Sequence, residues 1–129
     1  MEYLYYLVNA SLTLRLVEYL SGKPQMPIAF VTVIHQIDGW VVKVKMKSPL
    51  SSQQHGDFQA FLNELGIAYK PPVRVNMALW SLEAGRSPID VMHHYQVVVV
   101  SHGSPAPEEI KVFQQQFIKG LGYCPKNLA

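Results

Sequence analysis

The stretch MPIAFVTVIHQIDGWVVKVKMK, residues 26–47, sets two runs of β-branched and aromatic residues on either side of Asp38-Gly39. An Asp-Gly pair between β-prone runs is the signal for a two-residue type I′ hairpin turn, because both residues tolerate the positive φ that this turn requires. A turn there pairs Ile37 with Trp40, His35 with Val42, Val33 with Val44 and Val31 with Met46. Side chains alternate along a strand, so Trp40, Val42, Val44 and Met46 look one way while Val41, Lys43, Lys45 and Lys47 look the other. The hairpin therefore has an apolar side and a lysine-bearing side.

Working outward, EYLYYLV (2–8) is rich in aromatic and branched residues and reads as a strand. In NASLTLRLVEYLSGKP (9–24), Leu12, Leu16, Val17 and Leu20 recur at helical spacing, and Gly22 with Pro24 makes a helix stop. The alternation in LTLRL leaves a second hairpin strand open as the alternative reading of residues 10–21. Downstream, HGDFQAFLNELG (55–66) predicts an amphipathic helix with Asp57 as N-cap, an apolar stripe of Phe58, Phe61, Leu62 and Leu65, and Gly66 as terminator. After the break at YKPP, residues 76–85 and 87–95 predict two short helices parted by Gly85; Ser87 caps the second and Pro88 opens it. The valines 97–100 read as a strand. Residues 107–122 predict a last helix with Ile110, Phe113, Phe117 and Leu121 on one stripe.

The order strand, helix, strand, strand, helix, strand is the split βαβ arrangement of ferredoxin-like domains. The expectation is an α+β fold: a single-layer, mostly antiparallel sheet with helices packed on it, an inserted helical pair and an extra C-terminal helix, forming one domain over residues 1–129. The chain is 49% hydrophobic and 16% charged, enough apolar surface for a core. Its net charge of +2 falls well short of a dedicated duplex-DNA binder. The single cysteine, Cys124, makes no internal disulfide and no multi-thiolate metal site, in keeping with a reducing compartment. With no apolar run near the ~20 residues of a membrane span and no basic, signal-like start, the expectation is a cytoplasmic protein without membrane association.

The stretch VVVVSHGSP (97–105) resembles the strand-to-turn His-Gly-Ser motif of class II tetrapyrrole metal chelatases. That resemblance implies metal handling and carries over onto His102 alone; in that family the motif follows the opening strand, whereas here it lies near the C-terminus. As a phosphate site the same turn fails: Pro105 and Pro107 lack an N–H, and Glu108 and Glu109 occupy the positive end of the next helix. His93 and His94 are adjacent and so diverge, and His35, on the apolar side of the hairpin, reads as a core or rim histidine. Residues 77–97 are similar to the first two helices of helix-turn-helix modules, but no basic recognition helix follows. No cofactor motif appears, and no pair of carboxylates stands out as acid and base, so the chain reads as leaning away from catalysis.

Two surfaces remain. Lys43, Lys45 and Lys47, projecting from an open sheet face beside Phe30, would suit single-stranded nucleic acid, with Phe30 stacking on bases and the lysines meeting phosphates. The same face is also partly apolar through Phe30, Ile34 and Val41, and the last strand is apolar on both sides, so it needs cover from the inserted helices or a second subunit. The leading expectation is a non-catalytic binding protein with a regulatory, assembly or scaffold role, working through protein contacts as a homodimer. Nucleic-acid binding through Phe30 and the three lysines is the alternative, followed by metal or tetrapyrrole handling at His102.

Overall fold

The computed structural model describes residues 2–22, 26–36 and 39–103. The elements are β1 (Glu2–Leu7), α1 (Ala10–Ser21), β2 (Ile28–Gln36), β3 (Gly39–Met46), α2 (Ser52–Leu65), β4 (Ile67–Ala68), α3 (Val73–Glu83), α4 (Pro88–Tyr95) and β5 (Val98–Gly103). The five strands form one sheet in the order β4-β1-β3-β2-β5, antiparallel at every pairing. This is the α+β, antiparallel architecture that the sequence predicts. The expected final helix, residues 107–122, lies outside the described residues, as does Cys124.

The hairpin forms with a different register. Gln36 faces Gly39, His35 faces Trp40, Val33 faces Val42 and Val31 faces Val44. Ile37 and Asp38, between the paired ends, lie outside the described residues. The summed register differs by two from the expected pairing, and such a slip keeps every side chain on its own face. Hydrophobic alternation is therefore blind to it, and Trp40 and Lys43 still look in opposite directions.

One face carries Tyr3, Tyr5 and Leu7 of β1, Val31 and Val33 of β2, and Trp40, Val42 and Val44 of β3, all buried beneath α1 and α2. Asn9 caps α1 by accepting from the Leu12 N–H, and Leu16, Val17 and Leu20 turn to the sheet, so helix wins over the hairpin reading. α2 begins earlier than predicted: Ser51 is its N-cap in a reciprocal capping box with Gln54, and Asp57 lies inside the helix. Its buried stripe is Phe58, Leu62 and Leu65, with Phe61 stacked on Tyr19 of α1 at 4.0 Å. Gly66 ends α2 where a Cβ would collide with the Tyr6 carbonyl, and this close approach lets β4 pair with β1. The sequence predicts no element at residues 67–68; the break it signals, YKPP, begins at Tyr69.

The second face is covered as well. Leu79, Leu82, Val75 and Ala78 of α3 and Val91 of α4 pack on Ile34, Val41 and Val99. Gly85, at φ +97°, turns the chain between the two helices, and Ser87 caps α4 by accepting from the Asp90 N–H, with Pro88 in its first turn. The molecule thus has three layers, α1/α2, sheet and α3/α4, and the expected single open lysine-bearing face is corrected. The reason lies in the residues: Leu4, Tyr6, Ile34, Val41 and Val99 make this face apolar over most of its area, and it does not stay wet. The helix pair that resembles part of a helix-turn-helix module is spent on covering it.

β5 lies on the sheet edge beside β2 and carries an irregularity. Val33 faces Ser101 and Ile34 faces Val99, which leaves Val100 as an extra residue. Val99 and His102 are three residues apart and would face opposite ways on a regular strand; the bulge places both toward α3 and α4, and Val100 packs on the other core.

Candidate functional site

Beneath the last turn of α3 the sheet changes character. β3 carries Lys43 and Lys45 on the α3 side, opposite Leu4 and Glu2 of β1 and Thr32 and Phe30 of β2. Burial of Leu79 and Leu82 fixes the rotation of α3, and Glu83, the next residue, comes down onto both lysines. Its carboxylate accepts from Lys43 Nζ and, at 2.9 Å, from Lys45 Nζ. Glu2 approaches the same two ammonium groups more loosely, at 3.6 and 3.8 Å. Lys43 is only 8% exposed, which its ion pair with Glu83 makes tolerable. Burial alone would raise the Glu83 pKa, but hydrogen bonds and charge from Lys43 and Lys45 outweigh it and hold the carboxyl below its ordinary 4.5. Lys45 is raised in turn by its hydrogen bond to Glu83 and by that charge.

A second polar group adjoins this one. His102 Nδ1 lies 2.6 Å from Thr32 Oγ1, the ring sits 5.0 Å from Phe30, and it also hydrogen-bonds the backbone of Leu82, at the end of α3. Burial pushes His102 below its ordinary 6.5, helped by Lys43 and opposed by the charge of Glu83 and by the Leu82 hydrogen bond. Phe30 in turn lies 5.7 Å beneath Lys45 Nζ, within cation–π range. The structure therefore brings Phe30, Lys43, Lys45 and His102, all singled out from the sequence, into one cluster. It does not bring Lys47, which is exposed just past the end of β3.

Lys43, Lys45, Glu2 and Glu83 floor an open cleft of about 540 Å³, walled by Asn76, Met77 and Trp80 of α3. On its outer side α3 presents Val73, Met77 and Trp80, spaced four and three apart and so on one ridge, at 76%, 47% and 69% exposure. The two tryptophans are thus opposites: Trp40 lies in the first core and Trp80 in solvent. Sequence reasoning missed Glu83, Glu2, Met77 and Trp80. Glu83 is 40 residues from Lys43, and the one available signal was a lysine on a face otherwise filled by Val41 and Ile34, which demands a buried carboxylate from whatever covers it.

The remaining candidates stay apart. His35 is buried against Trp40, with ring centroids 4.3 Å apart. His93 and His94 are exposed on α4, His94 edge-on to Tyr95, and His55 bonds Tyr3 Oη at 2.6 Å on the opposite face. Among the described residues no group of three His, Cys, Asp or Glu is placed to hold a metal ion, and Glu109 lies outside them. No helix among them is long and apolar enough to cross a membrane. Comparison with family models, with curated proteins and with solved structures finds no match to the chain.

Proposed function

We propose that the chain is an intracellular, non-catalytic binding protein that works through protein–protein contacts, in a regulatory, assembly or scaffold role. The observation that carries this reading is the exposed ridge Val73-Met77-Trp80 beside a cleft with a charged floor. Single exposed apolar residues are ordinary, but three in line on one helix, including a tryptophan, make the kind of contiguous patch that marks a contact site. The charges beneath support it too. Lys43 and Lys45 are matched by Glu83 and Glu2, which weighs against the alternative of phosphate recognition by these lysines.

Two finer statements belong to the same proposal. The ferredoxin-like order, expected to end on the valine strand after an inserted helical pair, is proposed instead for residues 2–68, β1-α1-β2-β3-α2-β4 with strand order 4-1-3-2, because β5 pairs with β2 and not with β1. The homodimer is proposed through β5, an edge strand among the described residues whose segment 98–103 carries neither Lys nor Pro to discourage pairing with a second copy.

A photocrosslinking residue placed at Met77 in the native cells tests the main reading, with exposed Gln59 on α2 as the control position. Discrete adducts from position 77 and none from 59 are expected, and equal smears from both overturn it. Sedimentation over a micromolar dilution series tests the dimer, and a monomer throughout removes it. An oligonucleotide titration at two salt concentrations, read by Trp80 emission, tests the alternative. Salt-dependent binding that Lys45→Ala abolishes would favour it.

A further inference from the structure

Resting on the reading of α3 as a protein-contact surface, we infer that the cleft beside it receives a carboxylate from an acidic amphipathic segment of a partner protein. The two carboxylates in the cleft are held very differently. Glu83 is largely buried and bonds both lysines; Glu2 is half exposed, at the mouth, and stays beyond hydrogen-bond distance at 3.6 and 3.8 Å. An ammonium group has three protons to donate. Lys45 commits one to Glu83, and its side chain is 39% exposed toward the mouth where Glu2 lies. Glu2 thus occupies, loosely and by tether, the position that a foreign carboxylate takes.

Exchanging one for the other leaves two cations facing two anions, so the cleft selects a single carboxylate and discriminates against a polyanion. Its upper wall selects the company that carboxylate keeps. Met77 and Trp80 line the cleft and continue along the ridge to Val73, so an apolar side chain within a turn of the acid packs on them. Arg74 lies on the flank of α3 away from Asn76 and the cleft, Lys70 precedes the helix, and both are exposed. Glu83, the one acidic residue of α3, is turned to the sheet. The outer surface of α3 is therefore an apolar ridge between cations, and its complement is an apolar stripe edged by carboxylates.

The test uses the full chain and a tryptophan-free helical peptide with leucines at i, i+3 and i+7 and glutamates beside them, set against the same peptide with glutamine for every glutamate. Trp80 emission is the readout, and the Trp80→Phe variant serves as its blank. The glutamate peptide is expected to bind about tenfold or more tighter than the glutamine peptide. Glu2→Gln should tighten that binding several-fold, because it removes the tethered competitor, and Lys45→Met should weaken it about tenfold, with circular dichroism unchanged in both variants. Equal binding of the two peptides overturns the inference, as does no binding by about 1 mM, weaker binding by Glu2→Gln, or a response of Trp80 to phosphatidylserine vesicles alone. If the peptides fail while crosslinks at position 77 persist, α3 remains a contact surface and only the carboxylate claim falls. If both fail, both readings go.

Discussion

Phe58 and Trp40 on one face of the sheet and Lys43 on the other are all buried, yet their surroundings have little in common. Beneath α1 and α2 the core is aromatic and aliphatic. Among the described residues its polar groups are few: Tyr3 and Tyr5 reach His55 and Asn63 of α2 through their hydroxyls, Thr13 donates to the Asn9 carbonyl, and His35 packs on Trp40. Beneath α3 and α4 the apolar packing stops short, and one end of the face is given to two lysines, a glutamate, a threonine and a histidine, with an exposed tryptophan walling the cleft above the lysines. The first face can be explained wholly by stability. The second carries buried charge, which is a poor way to hold a helix down and a good way to fix the geometry of a site.

That contrast can be broken by substitution. Phe58→Ala should cost about 4 kcal/mol, measured by urea denaturation, because it empties a filled position between α2 and the sheet. Glu83→Gln should cost roughly 2 kcal/mol, since it strands Lys43; this falls below the ~3–5 kcal/mol of a fully dry pair because the cleft admits water. Adding Lys43→Met to Glu83→Gln should return part of that loss, whereas no second change on the first face should rescue Phe58→Ala.

Acid sharpens the comparison further. His102 is held below 6.5 in the folded chain, so its contribution is fully present above that value and declines as pH falls below it toward the lowered folded value. Glu83 is held below 4.5, so its contribution is present above 4.5 and is lost as pH falls through its folded value. A plot of unfolding free energy against pH should therefore show two descending steps. His102→Gln should remove the upper step and Glu83→Gln the lower. The smallest effect is expected at the surface: Trp80→Ala should change stability by no more than about 0.5 kcal/mol, while iodide should quench Trp80 and spare Trp40.

Much of the frame was readable from local pattern. Asp38-Gly39 announces the hairpin, the spacing of Leu16, Val17 and Leu20 announces α1, and Ser87-Pro88 announces α4, because each signal lies within one turn of helix or one pair of strands. The misses have a shared cause. The register slip leaves every face unchanged, and the start of α2 depends on whether Ser51 or Asp57 wins the cap, a competition between two adequate signals. Two residues of β4 carry no pattern at all. For the site, the sequence yields the cationic half and the neighbouring Phe30 and His102, but the anionic half comes from distant positions that only the packing of α3 unites. The cover over the second face was foreshadowed by Ile34 and Val41, which sit beside the lysines and make a poor surface for water.

The extra residue in β5 sets the phase of everything that follows it. Were Val100 drawn into a regular ladder with every residue kept, strict alternation would swing the imidazole to the α1/α2 side and leave the Thr32 hydroxyl and the end of α3 without their tie to the outermost strand. A single-codon deletion of Val100, by contrast, would straighten the edge strand with His102 still opposite Thr32, and so should spare the polar cluster.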